Sequence, residues 1–278
     1  MKKTIITLLA LSSVASATYT WNADAGNYTY EDWCTKDNWK DYTSWVDGKG
    51  PNGLGSDMYD EAITISNASV FTGVQFESWK LNLTLENGAQ ILDATFKNMS
   101  GGGSITIGTG SKFVASQTGG NLNNGAMIYT VADAGALTLT YKHNGNANGG
   151  NEFHLGENGS VNLSCSAANS QTIGGNNIFT ATLVSSAQGG LDSRVLANIT
   201  NLTLSNLSYT FEGWTASDEA ITEENYMDHI GEYYVANEDN KLTVYFASAP
   251  STPSVPEPAT ATLSLLALTG LAMRRRRK

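Results

Sequence analysis

Glu86-Asn87-Gly88-Ala89-Gln90-Ile91 is a turn that ends in glycine, then a small residue, then the start of a strand. The same order returns in Gly108-Thr109-Gly110-Ser111-Lys112-Phe113, in Asp133-Ala134-Gly135-Ala136-Leu137-Thr138 and in Glu157-Asn158-Gly159-Ser160-Val161-Asn162. Glycines 88, 110, 135 and 159 are 22, 25 and 24 residues apart. Short alternating runs recur on the same scale, among them Ile63-Thr64-Ile65, Leu83-Thr84-Leu85, Ile105-Thr106-Ile107, Leu137-Thr138-Leu139 and Leu202-Thr203-Leu204. A period of this length marks a solenoid. No leucine-rich-repeat asparagine and no helical periodicity accompany it, so the expected fold is all-β, a right-handed parallel β-helix of about one coil per repeat. Alternation sends the aliphatic members inward and the threonines outward. Glycine at the corners supplies a positive φ. A β-sandwich is the alternative, and it requires antiparallel hairpins without register between repeats.

Outward from the repeat, the composition changes on both sides. Residues 18–60 hold Trp21, Trp33, Trp39 and Trp45, four of the six tryptophans. Two readings stand for them. One is an aromatic cap that closes the N-terminal end of the coil, since neither end of a solenoid can pair further. The other is a platform on which sugar rings stack. On the far side, residues 207–247 break the period and read as a strand–helix–strand cap. Ser217 is placed to cap a short helix with an acidic first turn. The acids of residues 218–228 could also attract Ca²⁺, although the alternating Asp loop for that ion is missing. Residues 248–254, with Pro250 and Pro253, read as a stiff linker.

Both termini carry addresses. Lys2 and Lys3 precede an apolar run from Ile5 to Val14, and Ala15-Ser16-Ala17 supplies a small-x-small cleavage site. Residues 1–17 are therefore read as a secretory signal peptide cut after Ala17, which makes signal peptidase and the Sec translocon expected partners. At the other end stand Val255-Pro256-Glu257-Pro258, an uncharged stretch over 259–273, and Arg274, Arg275, Arg276, Arg277 and Lys278. As a helix, the apolar stretch reaches about 22 Å against a hydrocarbon core of roughly 30 Å. The cationic cluster stays cytoplasmic, which puts the body on the opposite side of the membrane.

This tail, residues 255–278, resembles the PEP-CTERM sorting signal of Gram-negative bacteria. The resemblance implies that Pro256, Glu257 and Pro258 are recognised by an exosortase-type membrane enzyme. That enzyme processes the tail and leaves the protein in the cell envelope or extracellular matrix. The order of Trp, Asn-Trp, Pro, Asp and Ile-Thr-Ile at the start of the body resembles the opening of autotransporter-like secreted β-solenoids. It covers residues 18–60 and leads into coils read over 61–206.

Between residues 18 and 256 stand 9 Lys and Arg and 25 Asp and Glu, a net charge of −16. An acidic body argues against nucleic acid as a partner. No nucleophile elbow, zinc spacing, phosphate loop or dinucleotide fingerprint is present. Neither a cofactor nor a metal is expected, and no catalytic residue is assigned. Asp93, Glu152 and Glu157 are the carboxylates in the coils that a glycan-cleaving pair would draw on, and they share no motif. His143, His154 and His229 are read as ordinary surface histidines. Cys34 and Cys165 are the only cysteines. In an exported chain they could pair, but a stack of coils places them about 19 Å apart along the axis. The expected function is a non-catalytic surface or matrix protein, structural or adhesive. The alternative is a carbohydrate-binding or glycan-degrading protein, with extracellular polysaccharide as its partner.

Overall fold

The structure, a computed structural model, describes residues 18–42, 45, 47–48, 50–52, 62–76, 80–96, 102–118, 126–142, 150–166 and 171–251. Residues 1–17, read above as a signal peptide, His143, Pro253 and the tail with Pro256, Glu257, Pro258 and Arg274–Lys278 lie outside them.

The chain is an all-β solenoid with almost no helix. Two sheets run along its length. In the first, the strands Thr18–Trp21, Ala62–Ile65, Leu81–Leu85, Gly103–Ile107, Met127–Val131, Asn151–Leu155, Asn177–Ala181 and Leu207–Thr210 are neighbours in that order, each parallel to the next. In the second, Asn27–Tyr28, Val70–Thr72, Gln90–Phe96, Lys112–Gln117, Ala136–Tyr141, Ser160–Cys165 and Gly190–Thr200 do the same. Every described pairing between Ala62 and Cys165 is parallel. The antiparallel hairpins that a sandwich needs are not there.

The alternation in the sequence sets which side of each strand is buried. Leu81–Leu85, for example, buries Leu81, Leu83 and Leu85 and turns Asn82 and Thr84 outward. Stacked in register, the inward residues form continuous columns. One runs Tyr19, Ile63, Leu83, Ile105, Tyr129, Phe153, Phe179, Tyr209. Its later rungs are aromatic and stack nearly parallel, with centroids 5.2 Å apart for Tyr129 and Phe153 and 4.6 Å for Phe153 and Phe179.

The ladder starts earlier than the repeat suggests. Thr18–Trp21 is already a rung, paired with Ala62–Ile65, and Asn27–Tyr28 pairs with Val70–Thr72. At the other end Leu207–Thr210 still belongs to the first sheet. Strand Gly190–Thr200 is where the second sheet changes character. Asn198, Ile199 and Thr200 pair parallel with Ser160–Cys165, whereas Gly190–Asn198 pairs antiparallel with Lys241–Ser248. The hairpin Glu232–Glu238 with Lys241–Ser248 continues that sheet, and Thr215–Ala216, parallel to Glu232–Glu238, is its edge. Between them residues 217–229 form turns and a single 3₁₀ turn, Tyr226–His229, not a longer helix. Ser217 accepts from the amide of Glu219 and donates to its carbonyl, so it closes a local turn.

The corners correct the glycine alignment. Lys112 pairs with Ala136, and Ala136 with Ser160. Gly110 therefore lies over Ala134, one residue before Gly135. Gly88 and Gly110 have positive φ, 81° and 69°, and at the next corner Ala134 carries that conformation at 55°. Gly135 and Gly159 occupy the following, buried position, and their φ is not in that region. A Cβ on Gly159 would lie 2.7 Å from the carbonyl oxygen of Val131. These two glycines are there for close approach of backbone to backbone, not for turning.

Candidate functional site

The outward face of the first sheet is a row of hydroxyls with one interruption. In register along the stack stand Thr20, Thr64, Thr84, Thr106, Thr130, His154, Thr180 and Thr210. The companion row, two residues back in each strand, reads Thr18, Ala62, Asn82, Ser104, Ile128, Glu152, Ile178 and Ser208. Of these sixteen positions only Glu152 and His154 are ionisable, and both belong to the strand Asn151–Leu155.

Their side chains are joined. His154 Nε2 is 3.3 Å from a Glu152 carboxylate oxygen, and Nδ1 is 2.8 Å from the Thr180 hydroxyl. Both are partly exposed, at 40% and 38% for the side chains. With neutral imidazole, Thr180 donates to Nδ1 while the Nε2 proton goes to Glu152. The array resembles a hydroxyl–imidazole–carboxylate relay. The strand bearing Thr180 lies inside the sheet, and its backbone groups are committed to ladders on both sides. The three side chains form one array on the outward face of the sheet.

It opens into a groove of about 710 Å³. Thr130, His154, Thr180 and Thr210 form its floor, Leu183 gives it an apolar contribution, and Glu212 adds a carboxylate. The stretch 182–189, which leaves the strand Asn177–Ala181, is held by Arg194. The guanidinium donates to the carbonyls of Thr182, Gly156 and Gly159 at 2.7, 2.5 and 3.1 Å. Burial lowers its pKa, while Glu157 and Asp133 nearby act the other way.

The carboxylates named from the sequence do not converge. Asp93 sits on the second sheet at a bulge, where the register shifts against Phe113 and Ala115 and φ is 58°. Glu157 is an exposed corner residue. Only Glu152 lies on the outward face of the first sheet, beside His154 and outside the groove lining. Among the described residues no group of three His, Cys, Asp or Glu side chains is placed to hold a metal ion. No described helix is long and apolar enough to cross a membrane.

The aromatic segment is packed inward. Trp21, Trp33 and Trp39 are buried, and Trp45 is half-buried. Trp21 meets Tyr28, Trp39 and Phe71 with centroids 4.7, 5.0 and 4.7 Å away. The indole of Trp39 donates to the Trp33 carbonyl at 2.8 Å. A stacking platform needs an open ring face, and these three rings offer none. Cys34 follows the one-turn helix Tyr30–Trp33, which Thr29 and Asp32 cap reciprocally. Burial pushes its thiol pKa up. Cys165 is buried beside Tyr141 in the second sheet. Four strands lie between Asn27–Tyr28 and Ser160–Cys165. Both thiols are free.

His229 is the second partnered histidine. It is 9% exposed, with Nδ1 2.7 Å from Glu232 and Nε2 3.2 Å from Glu219. The hydrogen bond to Glu232 raises its pKa above the ordinary 6.5; burial opposes this, and the charges of Glu232 and Glu219 reinforce it. A pKa raised on folding stabilises the fold fully below the unfolded value and loses that effect as pH climbs through the folded one. Stability is therefore expected to fall from about pH 6.5 upward, with His229→Gln flattening this part of the profile. Denaturant midpoints of both proteins across that range check it. Identical profiles would show that His229 does not contribute.

Comparison of the chain with protein-family models, curated proteins and solved structures finds no match.

Proposed function

We propose that this chain is the body of an exported, non-catalytic cell-surface or extracellular-matrix protein, structural or adhesive, delivered through its C-terminal sorting signal. The observation that carries the reading is the order Val255-Pro256-Glu257-Pro258, apolar span, Arg274–Lys278, behind a signal peptide. The solenoid supports it, because a stack of coils presents a long outer face and needs no active-site cleft to do so. Residues 18–60 and 207–247 serve as its caps. The coil is right-handed, as the chirality of parallel crossovers favours. The apolar span 259–273 anchors the chain until an exosortase-type enzyme processes it.

The test is the mass and cell fraction of the mature chain with and without that enzyme. The expected chain begins at Thr18, ends near Pro256–Pro258 and lies outside the inner membrane. A chain that keeps Arg274–Lys278 in the inner membrane regardless of the enzyme overturns the sorting reading.

A carbohydrate-binding role is the second reading. Its support lies in the groove around His154, not in the buried tryptophans.

A further inference from the structure

We infer that the groove over Thr130, His154, Thr180 and Thr210 binds a neutral, polyhydroxylated chain, a glycan without acidic groups, lying along the axis of the coil. This deepens the adhesive reading above by naming the ligand class and its residues.

The argument starts from the interruption in the ladder. Threonine or serine at these rungs is what the scaffold uses, since Thr64, Thr84, Thr106, Thr130, Thr180 and Thr210 all occupy one row. Local departures from a repeat that have no packing reason are where function is sought. His154 and Glu152 have none: both point away from the core, and their contacts with each other and with Thr180 lie on the outer face. The groove coincides with this departure at His154, which lines it.

The ligand class follows from the lining. Hydroxyls recur at the strand spacing of about 4.8 Å, which suits a partner with repeating hydroxyl-bearing units. Within the lining the Glu212 carboxylate accepts hydrogen bonds from hydroxyl donors, and Glu152 holds His154 from outside it. Among the described residues no lysine or arginine lines the groove, and residues 18–256 carry a net charge of −16. An acidic chain is therefore repelled. A peptide strand would need open backbone to pair with. The groove floor presents the face of a sheet, where side chains alone are available.

The test titrates the full mature chain with cello-, malto- and chito-oligosaccharides, and with oligogalacturonate as the acidic counterpart, by calorimetry. At least one neutral series is expected to bind, about tenfold or more tighter than oligogalacturonate. In the double variant Glu152→Ser and His154→Thr, threonine restores the row at 154 and serine matches Ser104 and Ser208 in the companion row, so it should fold as the parent does and lose about tenfold or more in affinity. Thr84→Val, three rungs away in the same row, should leave affinity unchanged. Absence of binding by every neutral series overturns the inference, as does binding that the double variant leaves intact. Preferential binding of oligogalacturonate also overturns it. None of these outcomes depends on processing of the tail, so a failed sorting reading and a failed glycan reading remain distinguishable.

Discussion

Phe153→Ala is expected to lower the unfolding free energy by about 3–5 kcal/mol. Phe153 is fully buried and sits between Tyr129 and Phe179 in the aromatic column, with both rings nearly parallel to its own. In most cores a truncated side chain is partly replaced by neighbours that move in. Here the neighbours above and below hang from strands whose separation is fixed by backbone hydrogen bonds at about 4.8 Å. The column cannot shorten, so the cavity persists and the cavity cost is added to the transfer cost. A domain of this size should lose about 10 °C of melting temperature. Phe153→Leu, which keeps most of the volume, should cost about half as much or less. Urea unfolding of the three proteins checks this. A loss under about 1 kcal/mol for alanine would mean that the column relaxes after all.

The same column shows why the solenoid could be read from the sequence. Alternation within each strand and a period of some two dozen residues are both linear features, and together they define coils. Thr18-Tyr19-Thr20-Trp21 carries the alternation too. Its tryptophan drew attention to capping, and its place as the first rung was missed, because no corner glycine of the repeating type precedes it. The corner glycines misled by one residue for a physical reason. Glycine serves two needs at adjacent positions, left-handed φ at 88 and 110 and close backbone approach at 135 and 159, and letters alone do not distinguish them.

The groove was less legible. Glu152 is two residues from His154, a spacing that puts both on one face of a strand, so half of the pair could have been found. Thr180 is 26 residues further on, and it meets His154 only because the register pairs them. His229 has one partner at a short interval, Glu232, and another ten residues back in an irregular segment, Glu219. No periodicity links those two. The density of tryptophans in residues 18–60 does not say whether the rings face each other or solvent, and in the fold Trp21, Trp33 and Trp39 face inward.

Arg194→Ala is expected to cost about 2–4 kcal/mol, a large effect for a side chain that is not in the core. The residue is the one arginine before Arg274. Its fork reaches three carbonyls: Gly156 and Gly159 from one corner, and Thr182 from the start of the next connection. It therefore ties the strand that ends the parallel ladder to the last regular corner before it. Truncation leaves these carbonyls short of a donor where the neighbouring backbone limits access of water, and it frees the 182–189 stretch that borders the groove. Lysine separates two explanations. If charge near Asp133 and Glu157 were the cause, Arg194→Lys would restore stability. An ammonium on a flexible stem cannot span three carbonyls fixed in space, whereas a planar guanidinium can. Arg194→Lys is therefore expected to recover less than half of the loss. Chemical denaturation measures the energies, and amide exchange at Leu183 and Val184 reports whether the stretch opens. Full recovery by lysine would assign the effect to charge. Recovery below half, with faster exchange confined to 182–189, assigns it to the fork that holds the end of the coil in place.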